Sequence, residues 1–349
     1  MGRKSHLRLL NVWMNGSYIG RWEITSTGEH RLYYDQEWLD SPASRPVSLS
    51  LPLQPPNVYH RGNNVEFFFD NLLPDSNIIR QRIQRRFGTA SQQAFELLTE
   101  VGRDCVGALQ LLPEGYEPEH IKTIMYEPMS SDMVEQFLIQ ATANDVFRIG
   151  SRDDFRISIA GAQEKSTILF HEGKWAKPLG PTPSTHIIKL PLGDIGFADM
   201  STSLENEWLC LNIMRLYGIR TPECRLVRFG NQKTLVVERF DRKLSRDGDW
   251  IVRIPQEDFC QAAGVPSGRK YESDGGPGIR DILDILCYSQ RAVSDKREFI
   301  KTQVLFWLLA AIDGHAKNFS ICIQDRGRYH LTPIYDVLSA YPIMGRGRG

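Results

Sequence analysis

Ile312-Asp313-Gly314-His315-Ala316-Lys317-Asn318 is followed by two apolar segments, Phe319 to Gln324 and Tyr329 to Ile334, and then by Tyr335-Asp336. Asp325-Arg326-Gly327-Arg328 separates the segments and predicts a hairpin turn. Upstream, residues 295 to 312 predict a strongly apolar helix with Phe299, Val304, Leu305, Leu308 and Leu309 facing inward. Asp313 and Asn318 therefore fall on a loop that leaves a buried helix, and Asp336 follows the hairpin. Ordinary Asx turns would give the same Asp/Asn spacing. The helix on one side and the hairpin on the other argue for more.

The order of these residues matches the catalytic-loop Asp, the loop Asn and the metal-binding Asp of protein kinases, with a hairpin between the last two. In that reading Asp313 takes or orients the proton of an attacking hydroxyl, Asn318 holds a second Mg²⁺ through its amide oxygen, and Asp336 bridges Mg²⁺ and phosphates. A kinase also needs a strand lysine at the phosphates. Lys189, in His186-Ile187-Ile188-Lys189-Leu190-Pro191, fits because its apolar flanks predict a mostly buried strand. A buried ammonium requires a counter-charge, and Glu205 or Glu207 on the next predicted helix could supply it, with Glu207 preferred. A lysine snorkelling from an edge strand is the alternative. Ser158-Ile159-Ala160-Gly161-Ala162-Gln163-Glu164-Lys165 has small residues that would let backbone N–H groups approach an anion. It lacks the Gly-Lys-Ser/Thr order of a Walker motif, and a plain hairpin turn explains it as well. Glu238-Arg239-Phe240-Asp241 lies where a hinge between lobes would fall, with backbone at Glu238 and Phe240 for adenine and Asp241 within reach of ribose. His315 can equally be a packing or hydrogen-bonding histidine of the loop.

Outward from this centre, Leu10 to Met14 and Tyr18 to Trp22 around Asn15-Gly16 predict a hairpin, with a further strand near Arg31 to Tyr34. Ser41 to Pro56 is loop by its prolines and serines. Asp75 or Ser76 caps a helix to about Arg86, a second helix covers Ser91 to Val101, and Gly107 to Leu112 is a strand. After a linker at Pro113 to Pro118 come helical pieces at 131 to 142, then strands at Phe155 to Ile159, Ser166 to Phe170 and Thr185 to Leu190. A helix at 203 to 217 precedes strands at Cys224 to Phe229 and Thr234 to Phe240, and helices follow at Asp258 to Ala263 and Ile279 to Leu286. The fold class is α+β.

The chain has 349 residues, room for two or three packed units. Lys plus Arg and Asp plus Glu both number 42, so no global basic field for nucleic acid exists. Six cysteines lack metal or redox spacing, which suits a reducing compartment. No signal-type apolar region opens the chain, and Val304 to Ile312, the longest apolar run, is too short to span a bilayer.

Taken together, Phe155-Arg156-Ile157-Ser158, Ala160-Gly161-Ala162-Gln163-Glu164-Lys165, the strand Thr185 to Pro191, Glu238 to Arg242, Tyr271 to Gly276 and Asp313 to Asn318 resemble the HipA serine/threonine kinases, toxins of type II toxin–antitoxin systems, in their enterobacterial form. Ser48-Leu49-Ser50-Leu51-Pro52, Phe69 to Asp75 and Glu100 to Gly107 extend the resemblance over roughly residues 9 to 343. It implies a two-lobed, protein-kinase-like core with a docked N-terminal α+β domain: residues 1–115 for that domain, 116–240 for the N-lobe region, and 241–349 for the start of a helical C-lobe. It implies ATP and Mg²⁺ as cofactors, and glutamyl-tRNA synthetase as a substrate whose phosphorylation halts translation and promotes persistence. It also implies inactivating autophosphorylation at Ser158.

Carried over by residue, Asp313 and Lys189 are catalytic. Ser158, Ala160, Gly161, Gln163, Lys189, Glu238, Phe240, Asp241, His315, Lys317 and Asn318 surround the nucleotide, and Asn318 and Asp336 hold metal. A HipB-like helix-turn-helix antitoxin would bring the protein to operator DNA in the cytoplasm, with no membrane partner. Members of that type continue past the point where this chain stops. The expectation is therefore a shortened C-lobe, with an alternative in which the chain only binds antitoxin and operator without transferring phosphate.

Overall fold

The computed structural model describes residues 8–142, 165–195 and 198–342. The first unit is a five-stranded antiparallel sheet of β1 (Arg8–Met14), β2 (Ser17–Ile24), β3 (His30–Tyr34), β4 (Tyr59–Arg61) and β5 (Leu109–Pro113), ordered β4-β3-β2-β1-β5. Asn15 and Gly16, with φ of 49° and 83°, close the first hairpin in the left-handed conformations that a two-residue turn demands. Four helices accompany the sheet: α1 (Gln36–Asp40), α2 (Asn63–Asp70), α3 (Asn77–Phe87) and α4 (Ala94–Val101). Ser76, not Asp75, caps α3 by accepting from the Ile79 N–H, and Gly88 ends it in the left-handed conformation. The sequence reading has no counterpart of α2, because three consecutive phenylalanines hide its 3.6-residue period. Phe69 of α2 stacks on Trp22 at 4.0 Å and 9°, anchoring the helix to the sheet.

The second unit follows β6 (Tyr126–Pro128) and α5 (Ser131–Thr142). It comprises β7 (Lys165–His171), β8 (Lys174–Pro178), β9 (His186–Lys189), the short pair β10 (Gly193–Ile195) and β11 (Ala198–Met200), α6 (Ser203–Leu216), β12 (Cys224–Phe229) and β13 (Gln232–Glu238). Strands β12-β13-β9-β7-β8-β6 form one antiparallel sheet. Ile168, Ile188 and Val236 pack against Val134 and Leu138 of α5, while Leu235 and Val237 pack against Leu204 of α6. Strand β9 is therefore interior, with β7 on one side and β13 on the other, which removes the edge-strand alternative for Lys189.

The third unit contains the hairpin β14 (Arg242–Leu244) and β15 (Ile251–Arg253), then β16 (Gln256–Asp258), α7 (Phe259–Ala263), α8 (Ile279–Leu286), α9 (Ala292–Leu309), β17 (Ser320–Ile323) and β18 (Tyr329–Leu331). The last two strands form the expected hairpin, and β16 joins its other edge. In α9, Phe299, Thr302, Leu305 and Phe306 face the core, but Val304 and Leu308 are 51% and 53% exposed, contrary to the expected inward face. The buried set follows the i, i+3, i+6, i+7 row that starts at Phe299; Val304 and Leu308 lie on the neighbouring row.

The units are joined through buried charge. Asp104, next to β5, accepts from Arg242 Nη2 at 3.0 Å and from the Ser184 hydroxyl at 2.6 Å, with Arg239 and Arg253 at 3.7 and 3.6 Å. The six cysteines, spread over all three units, are free.

Candidate active site

The end of α9 fixes the loop that follows. Ala310 adopts a left-handed φ of 48°, and the Ala311 N–H returns to the Phe306 carbonyl at 2.8 Å. Gly314 then passes so close beneath Phe306 that a Cβ would stand 2.6 Å from the ring carbon Cδ2. The loop closes on itself: Asn318 Nδ2 donates to the Asp313 carbonyl at 2.6 Å, and the His315 N–H to the same carbonyl at 3.0 Å. Outside the loop, the Tyr271 hydroxyl donates to Asp313 Oδ1 at 2.6 Å, and burial together with that carboxylate pushes the phenol's pKa up. The Asp313 carboxylate is otherwise open to solvent, its side chain 54% exposed.

The opposite wall is built from the second sheet. In the β7–β9 ladder Lys165 lies directly across from Lys189, so two ammonium groups project from one face side by side. Such a pair is repulsive unless carboxylates come between, and two do. Asp336 takes Lys165 on Oδ2 at 2.7 Å and Lys189 on Oδ1, while Lys189 also donates to Glu207 Oε1 at 2.5 Å. Glu207 interrupts the buried row Leu204, Cys210, Leu211, Met214 on α6, which aims it at β9. Glu205, two positions away, turns outward to Lys233 instead.

Burial pushes the Lys189 ammonium toward deprotonation, but the carboxylates of Asp336 and Glu207 outweigh it and hold its pKa above the lysine range. Burial likewise raises Asp336, yet Lys165 and Lys189 bring it well below the usual carboxylate value. For Glu207 burial prevails over Lys189, and its pKa is raised. Asp336 itself has φ 55°, a left-handed conformation that Asp tolerates better than branched residues do. It is held there between Tyr335, bonded to the Ser320 hydroxyl and to the Lys317 carbonyl, and fully buried Val337.

Lys189, Lys165, Glu207, Glu238, Phe240, Asp241, His315, Lys317, Asn318 and Asp336 all line one cleft between the second sheet and the third unit. Glu238 ends β13, and the Phe240 ring stands 5.8 Å from Tyr335 at the cleft wall. The Glu238 and Arg239 N–H groups are already bonded to the Glu223 and Thr185 carbonyls. Asp241 is a different matter from the ribose partner expected of it. Its oxygens accept from Arg239 at 2.9 and 2.8 Å and from the Gly107 N–H at 2.8 Å, with Arg242 at 2.9 Å, so the carboxylate is engaged at the inter-unit junction. His315 is buried and lines the cleft, its ring edge-on to Tyr271 at 4.9 Å and its Nε2 3.6 Å from Asp313 Oδ1, and burial lowers its pKa. Ser158, Ala160, Gly161 and Gln163 lie outside the described residues, as does the strand expected at Phe155 to Ile159.

Three participants escaped the sequence reading. In sequence Lys165 reads only as the end of the small-residue motif. Tyr271 carries no local signal of its chemistry. Asp75 reads only as a helix cap, yet it accepts from Lys317 at 2.7 Å.

Paired lysines bridged by a carboxylate, the Lys317–Asn318 end of the loop and the segment Glu238 to Asp241 thus share one cleft in an α+β fold. Comparison with known proteins gives it a lineage. Residues 10–112 match the HipA N-terminal domain and residues 157–347 the HipA-like C-terminal domain. This chain belongs to the HipA family. The Sinorhizobium fredii protein Y4mE, described as a candidate kinase, is 33% identical over 345 residues, covering 96% of this chain and 79% of that one. The serine/threonine-protein kinase toxin HipA of Shewanella oneidensis is 26% identical over 342 residues, covering 95% and 75%. The solved structure of Shewanella oneidensis HipA with HipB and its operator DNA superimposes with a TM-score of 0.77 at 24% identity, covering 95% of this chain and 76% of that one, and so shares the fold.

Proposed function

We propose that this chain is a serine/threonine-protein kinase toxin that uses ATP and Mg²⁺. The observation that carries the reading is the register-paired Lys165 and Lys189 closing on Asp336, with Glu207 behind, in one cleft with Lys317 and Asn318 of the loop that opens at Asp313. The residues fit the cofactors. Two buried ammonium groups suit a polyphosphate. The Asp336 carboxylate and the Asn318 amide oxygen are hard oxygen donors of the kind Mg²⁺ takes, one or two from protein with the rest from phosphate and water. Mg²⁺, when bound, neutralises charge on the phosphates.

Asp313 accepts the proton of the acceptor hydroxyl as its oxygen bonds to the γ-phosphorus and the bond to the β-phosphate bridging oxygen breaks, releasing ADP. The Tyr271 hydroxyl holds Asp313 Oδ1 and leaves Oδ2 for the acceptor. Lys189 steadies the phosphates, and Phe240 with Tyr335 offers an aromatic wall to adenine. In the domain terms used above, the close of β5 at Pro113 and of β13 at Glu238 supports boundaries near 115 and 240.

The family resemblance extends the proposal to glutamyl-tRNA synthetase as substrate, to autophosphorylation at Ser158, and to a HipB-like antitoxin and operator DNA as partners; the last two accompany the Shewanella protein in its solved complex. The cytoplasm is the proposed location: six free cysteines support it, and among the described residues no helix is long and apolar enough to cross a membrane. The test is transfer from γ-labelled ATP with Mg²⁺. Wild type labels itself and added glutamyl-tRNA synthetase, Asp313→Ala labels neither, and Ser158→Ala labels only the synthetase. Equal label on wild type and Asp313→Ala removes the kinase reading; no label, with tight antitoxin binding, leaves the binding-module alternative.

A further inference from the structure

The N-terminal unit lines the cleft through Asn71, Leu72 and Val106, and its Asp75 bonds a lysine of the cleft wall. Asp75 accepts from Lys317 Nζ on Oδ1 at 2.7 Å and from Lys270 Nζ on Oδ2 at 3.1 Å, with its side chain 13% exposed. Lys317 is buried, lines the cleft and sits in the loop between Asp313 and Asn318. The same segment that holds Asp75 from the other side also holds the loop: the Ala316 N–H donates to the Lys270 carbonyl at 3.1 Å, and Tyr271 bonds Asp313. Asp75 is itself rigidly placed. Ser76 caps α3, Arg80 donates to the Pro74 carbonyl at 2.6 Å and to Asp70 at 2.6 Å, and Ser267 ties Asp70 to the third unit at 2.8 Å. Burial works against the ionised form of Asp75, but Lys317 and Lys270 overcome it and hold its pKa below the ordinary value.

A buried ammonium takes whatever carboxylate is nearest. The rival for Lys317 is Asp258, which also faces the cleft, feels the charge of Lys317, and has one oxygen committed to capping α7. Without Asp75 the lysine would be drawn toward Asp258, dragging the loop between Asp313 and Asn318.

We propose that Asp75 is a positioning residue: through its bridge to Lys317 and Lys270, the N-terminal unit sets the geometry of the Asp313–Asn318 loop for phosphoryl transfer. This rests on the kinase reading above. The test compares full-length wild type, Asp75→Asn and Asp75→Glu for kcat and KM with ATP, and for amide hydrogen exchange. In Asp75→Asn, kcat falls about tenfold or more while KM for ATP changes less than about threefold, the scale set by misplacing a catalytic group by a fraction of an ångström. Exchange rises at 313–318 but not in β1 and β2, and Asp75→Glu, which keeps the charge, recovers part of the rate.

A kcat within about twofold of wild type in Asp75→Asn overturns the proposal. So does exchange that rises across the whole N-terminal sheet, or an Asn variant that fails to fold while the Glu variant folds with a rate no lower than wild type. Should wild type transfer no phosphate, the kinase reading fails separately, and exchange at 313–318 still decides: unchanged protection in Asp75→Asn refutes positioning.

Discussion

Replacing Lys189 by methionine separates what the ion cluster does for the fold from what it does for the cleft. Methionine matches the stem of lysine and keeps the packing between β7 and β13. What it removes is the counter-charge of Glu207, whose side chain is 1% exposed and whose second oxygen has no hydrogen-bond partner among the described residues. Asp336 suffers less because Lys165 still holds its other oxygen. Breaking a buried pair on one side costs about 3–5 kcal/mol, a large part of the 5–15 kcal/mol that typically holds a domain folded. Part of that is relieved when Glu207 takes up a proton.

Lys189→Met should therefore unfold at lower urea at pH 7, with a deficit that narrows toward pH 5. In wild type the raised pKa of Lys189 makes its contribution complete below the ordinary lysine value, to be lost only as pH climbs above it. The double variant Lys189→Met/Glu207→Leu, which leaves no uncompensated buried charge there, should regain most of the lost stability while binding no better to nucleotide than the single one. Equilibrium urea unfolding and calorimetric titration with ATP read both quantities. A single variant within about 1 kcal/mol of wild type, or a double variant no more stable than the single, would refute the reasoning.

Glu257, fully buried between the units and accepting from the Leu49 N–H at 2.8 Å, is pushed by burial to a pKa of about 8. Its contribution to stability is present in full below the ordinary glutamate pKa and is lost as pH rises through about 8. Glu257→Gln should therefore flatten the fall in urea midpoint between pH 5 and 9 and exceed wild type, by on the order of a few kcal/mol, at the upper end. Phe299→Ala, in the centre of the α9 face, should cost about 3–5 kcal/mol, whereas Trp307→Ser, 79% exposed on the same helix, should change stability by less than about 0.5 kcal/mol; thermal melts compare them. Ala310→Gly should stabilise by up to about 1 kcal/mol by relieving the left-handed φ of 48° at the end of α9; a lower melting temperature would count against that strain.

Strands and helices with a clean period were legible. Cys224–Phe229 and Ile279–Leu286 have the limits that alternation and amphipathicity indicate, and Ser76 with Gly88 bounds α3 as capping chemistry requires. Short strands were not. Lys174-Trp175-Ala176-Lys177-Pro178 and Tyr126-Glu127-Pro128 have too few apolar positions to announce themselves and exist because β7 offers the first a partner and the first offers one to the second.

The same division runs through the site. Lys189 could be singled out because a charged residue in an apolar strand is costly without company, and Glu207 because it breaks an apolar helical stripe. Lys165 required the register of β7 against β9, which no local pattern carries. Asp75 had a weak signal: once Ser76 serves as the cap, the acid beside it has no local task. Asp241 misled for the converse reason. Its position after the hinge and its partners Arg239 and Arg242 are local, but the Gly107 amide that completes its set arrives only with the docking of the N-terminal unit.

That docking bears on anyone who would cut the chain into pieces. Severed after β5, the N-terminal fragment would carry Asp104 into water, where a lone carboxylate is at home. The remainder would keep Arg239, Arg242 and Arg253 on a freshly wetted surface without Asp104, with Asp241 still beside Arg239 and Arg242. Losing that carboxylate makes an adhesive cationic spot on a chain whose overall charge is neutral. Such a fragment would leave a cell extract coated with nucleic acid, and a gel shift seen with it would describe the cut rather than the protein.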